Sequence, residues 1–177
     1  GHGSLLCAIM DAGDRMERVF HGFPPLLRPD SVILILGSFP SVKSRESAFF
    51  YMHPQNRFWR ILSDVFGADF TGADSAERTA LLEKHKIALY DVIESCTIRG
   101  SGDASIQDVI PADMLLELAR APIAKILVNG AKAWKLFQKH DAAYQSIAVP
   151  LPSTSPANAA MTYERLLEHW RKALLDD

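Results

Sequence analysis

Four short runs of apolar residues, rich in β-branched side chains, alternate along the chain with amphipathic stretches. The runs lie at 32–36, 87–90, 124–128 and 146–149, and a glycine, proline or polar residue closes each of them. Near-continuous apolar strands of this length are typical of a parallel sheet that is buried on both faces. The pattern therefore predicts four mainly parallel strands.

Helical patterns lie between and after these strands. Asp74 is a candidate N-cap for a helix through about His85, and Pro111 suits the first turn of a helix that ends near Arg120. Further apolar stripes follow Asn56, follow 129–130, and run from 163 to 174. The alternation predicts the α/β class, as one three-layer α/β/α domain around a central, mainly parallel four-stranded sheet. We expect this domain at 31–177, with 1–30 as an N-terminal extension whose first helix packs on it.

Composition narrows the functional classes. The 177 residues include two cysteines and six scattered histidines, with no pair in metal-ligand spacing, so we expect no metal and no cofactor. The net charge of −2 argues against broad, nonspecific wrapping of nucleic acid. The apolar run 5–10 is too short to cross a membrane. We expect a cytoplasmic monomer without a membrane partner.

Ligands of open parallel sheets bind in the loops beyond the carboxyl ends of the strands. This rule selects the segments 37–59, 91–103, 129–130 and 151–158. The first of them opens with Gly-Ser-Phe-Pro-Ser at 37–41, which read alone is a tight turn. It lacks the lysine of a phosphate-binding loop and the further glycines of a dinucleotide fingerprint.

Two of these segments suit contact with nucleic acid. Segment 43–60 combines aromatic residues with four cations and one acid, and rings stack on bases while cations meet phosphates. Within it we assign Phe58 and Trp59 to the core, and Asn56 is either a helix cap or a site residue. Segment 151–158 carries two stiffening prolines, three hydroxyls and an amide. It is either a loop with a helix cap or a rigid loop that holds a DNA backbone.

The order of three segments makes a family resemblance specific. Residues 37–41 after a buried strand resemble the first active-site motif of the uracil-DNA glycosylase superfamily. Residues 50–59 resemble the corresponding stretch of mismatch-specific uracil glycosylases, and 152–153 with their neighbours resemble the second motif of the superfamily. Segment 151–158 together with the His-Pro-x-Asn element resembles the hypoxanthine-DNA glycosylase branch most. The resemblance spans about 31–174.

The resemblance implies a monofunctional DNA-deoxyinosine glycosylase, a hydrolase of N-glycosyl bonds in base excision repair. Such an enzyme flips a deaminated base, here hypoxanthine and in addition uracil or xanthine, out of the DNA and cleaves its bond to the sugar with water. Common branches place an Asp or Asn where this chain has Phe39. The resemblance therefore moves the catalytic amide, which orients the water, to Asn56.

Other roles follow from the same resemblance. Tyr51 stacks on the flipped base, and Asp91 reads the base edge as a carboxylate or as a protonated acid, unless it only caps a turn. Gly37 and the backbone of Ser38 and Phe39 contact the base or its phosphate. The residues implied in DNA binding are Ser41, His53, Arg57, Ser153, Ser155 and Asn158. Ser155 falls where many relatives carry an intercalating leucine.

The remaining candidates have no assigned chemistry. We interpret 129–130 as a strand-end turn in preference to a wall of the site, and we place Cys96 and Asp103 in the loop around 100–102 without a role. Two alternatives stay open. One is a DNA-lesion-binding module in which Phe39 marks the loss of chemistry. The other is an unrelated small-molecule hydrolase with Cys96 as nucleophile, although no nucleophile elbow or paired carboxylates accompany it.

Overall fold

The computed structural model describes residues 16–99 and 105–176. Its strands, in chain order, are β1 Met16–Phe20, β2 Ile33–Gly37, β3 Ile87–Asp91, β4 Ile93–Arg99, β5 Gln107–Pro111, β6 Lys125–Asn129 and β7 Ala148–Leu151. Its helices are α1 Val42–Ser47, α2 Phe58–Phe66, α3 Ser75–Lys84, α4 Met114–Ala119, α5 Ala131–His140 and α6 Tyr163–Leu175. Short 3₁₀ turns lie at Ala142–Ile147 and Pro156–Asn158.

A parallel sheet of order β3-β2-β6-β7 forms the centre of the domain. The apolar runs of β2, β3 and β6 are buried because helices flank the sheet, which confirms the predicted α/β fold. The register aligns the strand ends, with Gly37 opposite Asp91 and Asn129 opposite Leu151. The four loops that follow these ends therefore start from one edge of the sheet.

A second sheet, antiparallel and of order β1-β4-β5, is absent from the sequence prediction. The chain leaves β3 at Asp91 and enters β4 two residues later. The Val92 N–H donates to the carbonyl of Gly37 (2.8 Å) and the Ile93 N–H to that of Ser38 (3.1 Å). This junction fixes the backbone of the first motif against the end of β3.

The N-terminal extension contributes a strand to this second sheet. Within residues 16–30 the structure has β1 and no helix, while 1–15 lie outside the described residues, as do Cys7 and Asp103. Cys96 lies in β4 and is buried in the apolar core of the second sheet. Its predicted place in a loop is therefore wrong, and it does not line the cleft described below.

The helix predicted from Pro111 begins later than expected. Pro111 ends β5, an edge strand where a proline is tolerated because its missing N–H faces no partner strand. The helix α4 begins at Met114, where the Asp113 carboxylate accepts from the Leu116 N–H (3.1 Å). The predicted cap of α3 is present, since Asp74 and Glu77 form a capping box. The fourth parallel strand starts two residues later than predicted because 3₁₀ turns occupy 142–147.

Asp141 is a buried carboxylate at the end of α5 that makes the stability of the fold depend on pH. Its Oδ2 has no hydrogen-bond partner in the described chain, and burial raises its pKa to about 6. The folded state thus binds the proton more tightly than the unfolded state does. The free energy of unfolding that this group contributes therefore falls as the pH rises from about 4 to about 6.

We therefore expect Asp141→Asn to raise the melting temperature at about pH 7.5 and to raise it much less at about pH 4.5. Thermal unfolding at both pH values checks this, with the exposed Asp30→Asn as the control. An equal gain at both pH values would contradict the burial of an ionised Asp141.

No helix in the described part of the chain is long and apolar enough to cross a membrane.

Candidate active site

A cleft of about 730 Å³ opens beyond the carboxyl ends of the parallel strands. It is lined by most of the residues that the sequence predicts, namely Gly37, Ser38, Phe39, Ser41, Tyr51, His53, Asn56, Asp91, Ser153, Ser155 and Asn158. The arrangement on which the prediction depends, with Asn56, Tyr51 and Gly37 in one cleft, is present. Among the described residues, no group of His, Cys, Asp and Glu could hold a metal ion.

Gly37 forms the floor of the cleft, and its missing side chain sets the geometry there. A Cβ atom at this position would lie 2.5 Å from Asp91 Oδ1 and 3.2 Å from the Tyr51 hydroxyl. Any larger residue would displace one of these two groups. The Asp91 carboxylate and the Tyr51 hydroxyl therefore both lie close to Gly37 at the end of β2.

Asp91 is hydrogen-bonded to His21, a residue that the sequence analysis did not identify. Its Oδ2 lies 2.7 Å from Nε2 of His21, and both side chains are buried. This arrangement leaves Oδ1 over Gly37, on the cleft side. His21 is separated from Asp91 by 70 positions and follows β1, a strand that the apolar pattern does not predict, so no local signal points to it.

Tyr51 combines an unusual backbone with an unpartnered hydroxyl. Its φ of 54° lies in the left-handed region, which is uncommon for a residue with a side chain and frequent at functional sites. The ring packs on Phe58 with a centroid separation of 4.1 Å. Burial raises the pKa of the phenol, the Asp91 carboxylate raises it further, and Asn129 acts in the opposite direction. The hydroxyl therefore stays protonated at neutral pH, and it has no hydrogen-bond partner among the described residues.

Asn56 lines the cleft and also forms a hydrogen bond to the first residue of α2. Its Oδ1 accepts from the Phe58 N–H at the start of α2 (2.9 Å), and the residue lines the cleft. A carbonyl oxygen has two lone pairs, so this bond leaves one free to orient a water molecule. Of the two roles that the sequence analysis weighed, the helix cap is wrong, because Arg57 is the N-cap residue of α2.

Phe39 lies at the position of the first motif where common branches of the superfamily place an Asp or Asn, and its ring is buried. It is buried and packs with Ile93, Cys96 and Ile98 in the core of the second sheet. The Arg45 guanidinium lies 5.6 Å from the ring centroid. The Phe39 side chain has no polar atom and therefore cannot orient a water molecule.

The loop after β7 is held rigid by its own polar groups. Asn158 Nδ2 donates to the carbonyl of Ser153 (3.0 Å), and the Ser155 hydroxyl accepts from the Ala157 N–H (3.2 Å). Asn129 and Thr154 join this loop to the end of β6 through two hydrogen bonds of 3.0 Å each. Asn129 therefore forms part of the wall of the cleft, whereas the sequence analysis preferred a strand-end turn at 129–130.

Arg57 supports the loop from within the protein. Its guanidinium donates to the carbonyls of Met161 (2.7 Å) and Asn158 (3.0 Å), and the residue does not line the cleft. Two other predicted DNA-binding residues, Ser41 and His53, line the cleft. Ser41 caps α1 by accepting from the Ser44 N–H (3.2 Å), and His53 Nδ1 accepts from the Gln55 N–H (3.1 Å).

Known proteins resemble this chain in sequence and in fold. The model of the uracil DNA glycosylase superfamily matches residues 24–175. A hypoxanthine DNA glycosylase of Methanosarcina barkeri is 35% identical over 113 residues, which cover 63% of this chain and 72% of that protein. A hypoxanthine DNA glycosylase of Methanosarcina acetivorans is 34% identical over 87 residues, which cover 49% of this chain and 55% of that protein, only about half of its length.

A solved structure shares the fold. The NMR structure of a proposed uracil DNA glycosylase from Methanosarcina acetivorans superposes with a TM-score of 0.75 at 29% identity, covering 86% of this chain and 94% of that one. The family-model match extends over most of the described residues and includes every predicted site residue. The chain therefore belongs to the uracil-DNA glycosylase superfamily.

Proposed function

We propose that this protein is a DNA glycosylase that removes hypoxanthine, and with it uracil or xanthine, from DNA. The observation that carries the proposal is the position of Asp91 Oδ1 over Gly37 at the floor of the cleft, where it can accept a hydrogen bond. The names of the two curated relatives support hypoxanthine as the leading substrate.

The acceptor matches the edge that deamination creates. Hypoxanthine carries N1–H beside the carbonyl O6, whereas adenine carries a lone pair on N1 beside an amino group. Asp91 Oδ1 would accept from N1–H, and the Tyr51 ring, which lines the cleft, would stack on the base. Adenine would place its N1 lone pair against the carboxylate and is therefore rejected. Uracil and xanthine share the N–H and C=O edge and are expected as further substrates.

Asn56 would act on the other side of the sugar. Its Oδ1 orients a water molecule, whose oxygen forms a bond to C1′ while the bond from C1′ to the base nitrogen breaks and its electron pair leaves with the base. An amide cannot accept the proton, so the step relies on a dissociative transition state in which the water is positioned and loses its proton to solvent. Hydrogen bonds to the departing base then supply much of the rate.

The loop 151–158 would hold the DNA strand. Its hydroxyls and main-chain groups are already ordered by internal hydrogen bonds, so binding a phosphate costs little further ordering. The loop carries no charged side chain, and the helix cap at Ser155 leaves no wedge residue at the position where many relatives carry leucine.

Asp91→Asn tests the recognition of the base. The variant keeps the shape of the side chain and an oxygen for His21 but removes the charge that accepts from N1–H. Charge-assisted hydrogen bonds contribute about 1.5–3 kcal/mol, so we expect the single-turnover rate of hypoxanthine release to fall about 10- to 100-fold. Glu94→Gln is the matched control, since Glu94 is an exposed carboxylate of β4 that bonds Tyr90 outside the cleft.

Two outcomes would count against this assignment. A rate for Asp91→Asn within about twofold of wild type would remove Asp91 from base recognition. A wild-type protein that binds inosine-containing DNA but releases no base would replace the glycosylase by the lesion-binding module.

A further inference from the structure

The buried ring of His21 lies behind the floor of the cleft and has no role in the reaction described above. Its ring centroid lies 4.4 Å from those of Phe23 and Tyr90 and 5.8 Å from that of Phe50. Its backbone N–H donates to the carbonyl of Glu94 (2.8 Å). Rings on several sides and a fixed backbone leave the imidazole no room to turn away from Asp91.

The two ring nitrogens of His21 have different surroundings. Nε2 lies 2.7 Å from Asp91 Oδ2, whereas Nδ1 is buried and has no hydrogen-bond partner among the described residues. A proton on Nδ1 would be a buried N–H without an acceptor, which is costly and rarer than a buried acceptor without a donor. The neutral ring therefore carries its proton on Nε2 and donates it to Oδ2.

We propose that His21 is a positioning residue that acts through Asp91 and makes the site specific for bases with a ring N–H. By donating to Oδ2 it fixes the rotamer of the carboxylate and keeps Oδ1 over Gly37 as an acceptor. This inference rests on the proposed function, because it assigns to Oδ1 the N–H of the deaminated base. His21 does not line the cleft and touches no substrate itself.

The tautomer is tested directly on the wild-type protein. In ¹⁵N-labelled protein, long-range ¹H–¹⁵N correlations at about pH 7.5 should show the His21 ring with Nε2 protonated and Nδ1 bare. The signal is assigned by its loss in His21→Gln. An Nδ1–H tautomer, or a ring protonated on both nitrogens, would overturn the proposal. This readout does not depend on which base the enzyme removes.

Kinetics test whether His21 acts through Asp91. His21→Phe keeps the ring packing and removes the donor, while His21→Gln keeps an N–H near the position of Nε2. We expect His21→Phe to lower the rate of hypoxanthine release at least about tenfold and His21→Gln to restore it to within about threefold of wild type. In an Asp91→Asn background, His21→Phe should cause no further loss.

Binding of DNA with an abasic site separates this role from structural damage. Such DNA has no base for Asp91 to read, so its affinity should stay within about twofold of wild type in every folded variant. If His21→Phe does not fold, His21→Leu replaces it in the comparison with His21→Gln. A donor-free variant that releases hypoxanthine as fast as wild type, or losses that multiply with Asp91→Asn, would overturn the proposal. A wild type that releases no base would instead overturn the proposed function.

Discussion

Asn56→Ala is expected to lower the single-turnover rate of hypoxanthine release about 10²- to 10³-fold while DNA binding stays within about twofold of wild type. We propose this side chain as the amide that orients the water, because it lines the cleft and Phe39 occupies the usual position with a buried ring. Binding should persist because the loop 151–158 and Asp91, the residue proposed to read the base, are untouched.

The structural hydrogen bond of Asn56 has to be separated from its proposed catalytic role. Its Oδ1 accepts from the Phe58 N–H, and the loss of such a bond costs about 1 kcal/mol of stability. Asn56→Ser keeps a short side-chain oxygen that can accept from this N–H, and it should restore the melting temperature without restoring the rate. Gln55→Ala, at the exposed neighbouring position, should leave both unchanged. A rate for Asn56→Ala within about tenfold of wild type would remove Asn56 from the chemistry.

Gly37→Ala is expected to lower the rate of base release about 10²-fold, because displacing a reacting or recognition group by about 1 Å has an effect of this size. The new Cβ would lie 2.5 Å from Asp91 Oδ1. The carboxylate cannot easily move aside because its Oδ2 is hydrogen-bonded to His21. We measure single-turnover release together with the melting temperature, since overpacking of a buried strand costs about 1–3 kcal/mol.

A matched glycine elsewhere in the chain serves as the control for Gly37→Ala. A Cβ at Gly72 would also lie 2.5 Å from a carboxylate oxygen, that of Asp69, but in an exposed turn outside the cleft. Gly72→Ala should leave the rate unchanged. Full activity of a folded Gly37→Ala would show that the base is not read at this point of the floor.

The parallel sheet could be predicted because burial on both faces leaves an unmistakable sequence pattern. The strand β2 is Ile-Leu-Ile-Leu-Gly and every residue of β3 is buried, so both appear as continuous apolar runs. The polar residues that gather after these runs then mark the cleft. The roles predicted for Asn56, Tyr51 and Asp91 come from the resemblance of these segments to the motifs of the superfamily.

The antiparallel sheet could not be predicted because its pattern is irregular. The strand β4 has register shifts near Ser95, so buried and exposed positions do not alternate regularly. The strand β1 is largely exposed, with its polar Glu17 and Arg18 at the surface. His21 follows β1, and its proposed role depends on its contact with Asp91, which is 70 positions away in the sequence. No local sequence pattern indicates such a contact.

The most direct test of the account is base release by the wild-type protein. Oligonucleotides with one deoxyinosine, deoxyuridine or deoxyxanthosine, single- and double-stranded, are incubated in a chelator and then treated with alkali to cleave abasic sites. We predict release of free hypoxanthine and an alkali-labile site at deoxyinosine, with no cleavage at deoxyadenosine. Absence of product from all three lesions, in both strand states, would contradict the account.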